Sequence, residues 1–168
     1  MFEMPKVILY GKSGAGKTTI LETLLGRNII DGFSAGQEFA IVPLGNTNLL
    51  QITILPGQDR YRRPILESIL NKNIYVVLVV NSLNINERKD LFERVESCYS
   101  ELRRYPIAII ATHKDLLDKK EKTIIETLGD AIGRYGIKKY YLVVSFDRKE
   151  IFDVFEEIYS LISSKKPL

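Results

Sequence analysis

The chain has 168 residues, 45% of them apolar and 27% charged, with a formal net charge of +3 at pH 7. That balance suits one compact soluble domain, residues 1–168, with enough chain to bury a good core, and it excludes a disordered, fibrous or membrane-spanning protein. Its longest apolar run, Ile74 to Val80, is far short of the roughly 20 residues a membrane helix needs; its basic residues are intermixed with acids, which argues for solvated surface and against nucleic acid.

The elements alternate along the chain. KVILY (6–10) predicts a short strand, and KTTILETLLG (17–26) predicts a helix with Ile20, Leu21, Leu24 and Leu25 on one stripe and Gly26 ending it. Between them GKSGAGKT, Gly11 to Thr18, matches G-x-x-x-x-G-K-[ST] in the context its mechanism requires, after a strand and before a helix. The glycines let backbone N–H groups curl around phosphates, and the helix adds its positive N-terminal end. Gly11, Ser13, Gly14, Ala15 and Gly16 are the expected cradle, with Thr19 just behind it. Lys17 reaches the outer phosphates, and Thr18 offers a hydroxyl to Mg2+. The pattern indicates a triphosphate without naming its base.

After an irregular segment, EFAIVPL (38–44) and LLQITIL (49–55) predict a hairpin around Gly45-Asn46-Thr47-Asn48. The second strand breaks at Pro56-Gly57, leaving Gln58 and several charged residues in a loop before a short helix opened by Pro64. IYVVLVV (74–80) is apolar throughout, as a parallel strand covered on both faces should be. A helix capped by Asn86 is expected to run to about Arg104, with Leu91, Val95, Cys98 and Leu102 on its inner face. Cys98, the only cysteine, is therefore a core residue, and no disulfide forms within the chain.

IAIIA (107–111) is another buried strand, followed by Thr112-His113-Lys114-Asp115, a helix from about Lys120 to Tyr135, the strand YYLVV (140–144) and a last helix with Ile151, Val154, Phe155, Ile158 and Ile162 inward. Asp147 and Glu150 form a capping box in front of that helix. Six strands alternating with five helices imply an α/β fold: a mostly parallel sheet with one antiparallel edge strand, wrapped by helices on both sides.

Thr112-His113-Lys114-Asp115 resembles the guanine-reading [N/T]-K-x-D motif of small GTPases, and the order of motifs along the whole chain resembles the Ras-like small GTPase superfamily. The L-P-G-Q form of the second switch is similar to the prokaryotic MglA-type branch. The resemblance implies a three-layer P-loop NTPase G domain that switches between GTP and GDP states and hydrolyses GTP slowly. In that pattern Asp115 accepts hydrogen bonds from guanine N1–H and the exocyclic amine, Thr112 and Lys114 complete the motif, and Ser145-Phe146 contributes backbone contacts to the base.

The same pattern has Gly57 meeting the γ-phosphate through its N–H, with Gln58 orienting the attacking water. Lys17 and Mg2+ neutralise charge. Segments 28–40 and 56–68 would present regulatory and effector proteins with a different surface in each state.

Three departures from the family pattern stand out. Ile54 takes the place of an aspartate that supports the magnesium, His113 that of a lysine lying along the base, and Ser34 is the best hydroxyl where a first-switch threonine completes the metal shell. They leave open a guanine-nucleotide-bound scaffold with little hydrolysis. A third reading, a P-loop kinase for a small metabolite, is disfavoured because no arginine-rich lid is evident and Asp115 occupies a base-reading place. The start of the chain has no signal-peptide layout and no Met-Gly, and its end has no cysteine to prenylate. A cytoplasmic protein without a direct membrane anchor is therefore expected.

Overall fold

A computed structural model describes residues 4–26, 38–55 and 74–164. Six strands form one sheet: β1 (Lys6–Tyr10), β2 (Glu38–Leu44), β3 (Asn48–Ile54), β4 (Ile74–Asn81), β5 (Ile107–Thr112) and β6 (Lys139–Leu142). Their spatial order is β2-β3-β1-β4-β5-β6. Neighbours are parallel except at the edge, where β2 runs antiparallel to β3 from Glu38 opposite Ile54 to Leu44 opposite Asn48.

Among the described residues there are four α-helices, α1 (Lys17–Leu25), α2 (Arg88–Leu102), α3 (Glu121–Tyr135) and α4 (Arg148–Ser163), with three short 3-10 turns. The fifth expected helix, opened by Pro64, lies outside the described residues.

Apolar patterning accounts for the three layers. Every residue of β4 from Ile74 to Val80 and every residue of β5 is buried, because successive side chains point to opposite faces and both faces are covered. On one face Ile8, Val76, Leu78, Val80 and Ile109 meet Leu91, Val95, Cys98 and Leu102 of α2 and Ile124 and Leu128 of α3. On the other, Val7, Leu9, Ile52, Val77, Val79 and Ile110 meet Ile20, Leu21 and Leu24 of α1 and Ile151, Phe155 and Ile158 of α4. Fully burying each such Leu, Ile, Val or Phe side chain stabilises by about 1.5–3 kcal/mol. Cys98 is a wholly buried member of the first cluster, as its register with Leu91, Val95 and Leu102 requires.

Several boundaries differ from expectation for local reasons. Asn48 pairs with Leu44, so the hairpin loop is Gly45 to Thr47, and Gly45 takes the left-handed conformation (φ 69°) that closes so short a turn. Asn86 does not cap α2. The N-cap is Glu87, and the Asp90 carboxylate accepts from the backbone N–H of Asn86 (3.0 Å) and of Glu87 (2.8 Å). Those two bonds, Glu87's first, hold the Asp90 carboxyl below its ordinary value.

At α4 the Asp147 carboxylate accepts from Glu150 N (3.2 Å), but Glu150 returns its own carboxylate to Val144 N (3.1 Å) instead of Asp147 N. The capping box is thus half formed, its other half tying the helix to the end of β6. β6 stops at Leu142, and Leu25 and Ile162 are only partly buried at the margins of their helices.

Candidate functional site at the carboxyl edge of the sheet

Strand order decides where a site can form. The chain leaves β1 toward β2 and β3 on one side and returns to β4 on the other, so a crevice opens beyond the carboxyl end of β1, where open α/β sheets bind ligands. Gly11 to Gly16 turns across that crevice into α1. A Cβ at Gly11 would lie 2.4 Å from the Val79 carbonyl oxygen, so the loop passes β4 closer than any other residue allows. Gly16, the N-cap of α1, has φ 109° and ψ 13°, and a Cβ there would meet Thr112 Cγ2 at 3.2 Å. Both contacts hold the loop close against the sheet just before α1, whose first N–H groups have no partner within the helix.

Lys17 is buried at 5% exposure, and its ammonium donates to the Gly11 carbonyl and to the Lys12 carbonyl (3.2 Å). The side chain is thereby folded back over the loop, its ammonium held by the loop's own carbonyls. Thr18 follows it in the first turn of α1.

The Thr112-His113-Lys114-Asp115 stretch is bonded directly to this loop. The Thr112 hydroxyl lies 2.9 Å from the Ala15 carbonyl, 3.2 Å from the Val80 carbonyl and 2.8 Å from His113 Nδ1. A hydroxyl has one proton to give; when it goes to a carbonyl, the imidazole must donate from Nδ1. His113 is left-handed (φ 67°), which turns the chain sharply out of β5 and leads into the 3-10 turn Lys114–Leu116 with Asp115 exposed. Lys114 N donates to Val143 O (3.1 Å), anchoring the turn to the chain beyond β6. An exposed carboxylate beside a phosphate-type loop can accept from two adjacent N–H donors of a planar base.

A third segment joins through a residue that pattern reading passed over. Thr23, on the buried side of α1, shares its hydroxyl between the Thr19 carbonyl (2.7 Å) and the Ser145 carbonyl (2.8 Å). Ser145 is buried and Phe146 is 60% exposed beside it. The only signal in the sequence is a hydroxyl residue within an otherwise apolar helix face.

The structure therefore brings together Gly11, Ser13, Gly14, Ala15, Gly16, Lys17, Thr18, Thr19, Thr112, His113, Lys114, Asp115, Ser145 and Phe146 along one edge. Ser34, Gly57 and Gln58, with most of segments 28–40 and 56–68, lie outside the described residues. Ile54 is fully buried at the end of β3 in the cluster that includes Ala15, Ile20 and Leu21. Among the described residues no group of three or more His, Cys, Asp or Glu could hold a metal ion, and no helix is long and apolar enough to cross a membrane.

Compared with known proteins, the chain matches no protein-family model and no curated protein. Among solved structures it is similar to a chain from the structure of the mammalian SRP receptor, with a TM-score of 0.67 over 94% of this chain and 99% of that one, at 18% identity. That likeness fixes the fold, a six-stranded mixed α/β sheet with helices on both faces.

Proposed function

We propose that the chain is a GTP-binding molecular switch that hydrolyses GTP slowly to GDP and phosphate and regulates partner proteins by its nucleotide state. The observation that carries this reading is the bond from Thr112 to Ala15. It joins the phosphate-type loop to the Asp115 turn, with the Lys17 ammonium folded over the loop and the exposed Asp115 carboxylate at the other end. In this reading Gly11 to Thr19 cradle the phosphates, Asp115 selects guanine, and His113 lies along the base with Ser145 and Phe146 opposite. Gln58 positions water, and Gly57 senses the γ-phosphate. Segments 28–40 and 56–68 face the regulatory and effector proteins.

Mg2+ fits the donor set on this chain. The ion prefers hard oxygen ligands and usually takes one or two from protein, the rest coming from substrate phosphates and water. Thr18 would supply a hydroxyl and Ser34 a second. Mg2+ supplies charge neutralisation on the phosphate oxygens. Burial of Ile54 leaves no carboxylate to steady that ion from β3, a loss that commonly weakens a metal site about 10- to 100-fold. GDP, with fewer oxygens, should hold it loosely. These features fit the MglA-type branch.

The test is to denature purified protein and resolve the released nucleotide by chromatography. GDP or GTP supports the reading; an adenine nucleotide in stoichiometric amount overturns it. Burial of Ile54 also favours a second reading, a guanine-nucleotide-bound scaffold with little hydrolysis, and single-turnover hydrolysis separates the two.

A further inference from the structure

At the opposite edge of the sheet, α2 and α3 both end beside the start of β5 and β6, and a cleft of about 360 Å³ opens between them. Its floor is Pro106, Ile107 and Ile137, its walls carry Tyr99, Tyr105 and Tyr135, and its rim carries Arg103, Arg104 and Lys138. The rim cations are exposed, and among the described residues none is within salt-bridge distance of a carboxylate. Arg134, next to Tyr135 in the chain, lies over the Tyr135 ring (5.7 Å) and the Phe92 ring (5.3 Å), and Arg104 over Tyr105 (5.8 Å). Tyr99 and Tyr135 pack at 5.7 Å. Glu96 engages the Tyr135 hydroxyl in this aromatic wall.

Basic residues near a helix C-terminus complement its dipole, and that would explain Arg103 alone. It does not explain three cations, two at the end of α2 and one in the lead-in to β6, around one aromatic-walled hollow. We propose that this cleft docks an acidic segment of a partner protein, its carboxylates on Arg103, Arg104 and Lys138 and an apolar side chain seated on Pro106, Ile107 and Ile137. Charge complementarity selects the occupant: every rim side chain is cationic, and the tyrosine hydroxyls can donate. A cleft this size admits one side chain and the adjoining backbone. Docking here leaves the carboxyl edge uncovered, so it holds the partner in either nucleotide state and does not depend on the proposed switch.

The test uses fluorescence anisotropy of a fluorescein-labelled Glu-Glu-Leu-Glu-Glu peptide with the full chain, in GDP, in GTP analogue and with no added nucleotide. Saturable binding is expected under all three conditions, weakened roughly tenfold by raising salt from low to physiological strength. Arg103→Glu with Arg104→Glu should weaken it by about tenfold or more, and the gentler Arg103→Gln with Arg104→Gln should do so in the same direction if the reversal fails to fold. Lys122→Glu with Lys149→Glu, which removes the same net charge at distant exposed positions, should change it less than about twofold. The proposal is overturned by equal loss in both double reversals, by equal binding of a Lys-Lys-Leu-Lys-Lys peptide, by displacement with millimolar inorganic phosphate alone, or by no saturable binding.

Discussion

The Thr112 hydroxyl lies 2.9 Å from the Ala15 carbonyl oxygen, joining the last residue of β5 to the loop that opens α1. Its methyl carbon stands 3.2 Å from where a Cβ at Gly16 would lie, so the same side chain also crowds any larger residue at Gly16. Thr112→Val keeps the shape but strands a buried carbonyl, which should lower unfolding free energy by about 1–2 kcal/mol. It should weaken guanine-nucleotide binding by roughly tenfold as the two halves of the site lose register. Thr112→Ser should retain most of both. Denaturant unfolding and titration with labelled GDP measure the pair; equal affinity in parent and Val variant would show that the bond does not align the site.

Gly11→Ala places a methyl where the Val79 carbonyl already stands, 2.4 Å away. β4 is central and buried on both faces, so the loop must move instead. Displacement by about an ångström in a positioned site commonly costs on the order of a hundredfold. GDP affinity should fall by about that factor while circular dichroism remains that of an α/β protein, and unchanged affinity would mean the loop does not contact the phosphates.

In the proposed reading hydrolysis should be slow, on the order of 10⁻³ per second or below, because that reading gives catalysis no contributors beyond Gln58, Lys17 and Mg2+. Gln58→Leu should reduce single-turnover cleavage of GTP by about tenfold or more, with binding nearly unchanged. A variant as fast as its parent assigns the water to another residue.

Tyr75 and Tyr141 present buried hydroxyls with no hydrogen-bond partner among the described residues. Burial raises both above the usual tyrosine range, and burial followed by the neighbouring Tyr75 pushes Tyr141 up to about 12. The folded state thus keeps the neutral form longer than the unfolded chain does. Stability is fully present below about pH 10 and is lost as pH rises from there toward 12. Tyr141→Phe should cost less than about 1 kcal/mol at pH 7, since no bond is broken, and should flatten the alkaline loss in urea unfolding. An equally steep loss in the variant would place the titrating group elsewhere.

Much of the fold was legible because apolar runs carry their own geometry. Ile74 to Val80 and Ile107 to Ala111 could only be strands buried on both faces, and Cys98 followed from its spacing to Val95 and Leu102. Ends of elements were less legible, because they turn on single hydrogen bonds: Asp90 to Glu87 N displaced the cap from Asn86, and Glu150 reached Val144 instead of closing a box. Within the site, Gly11 to Thr18 and Thr112 to Asp115 were visible as spacings of residue types. That Thr112 and Ala15 bond, or that Thr23 holds the Ser145 carbonyl, was not. Those contacts join residues 97 and 122 positions apart, and only the sheet order brings them together.

The central claim is that the Asp115 turn, fixed to the phosphate-type loop by Thr112, reads guanine. The direct measurement is displacement of a labelled guanine nucleotide by GTP, ATP and XTP from the parent and from Asp115→Asn. One carboxylate meeting two donors predicts that GTP displaces at least about a hundredfold better than ATP from the parent, since a site built to bond a group rejects the analogue lacking it by large factors. The variant should prefer XTP, whose 2-oxo group needs a donor. Equal displacement by ATP and GTP from the parent, or a variant whose preference is unchanged, would contradict it.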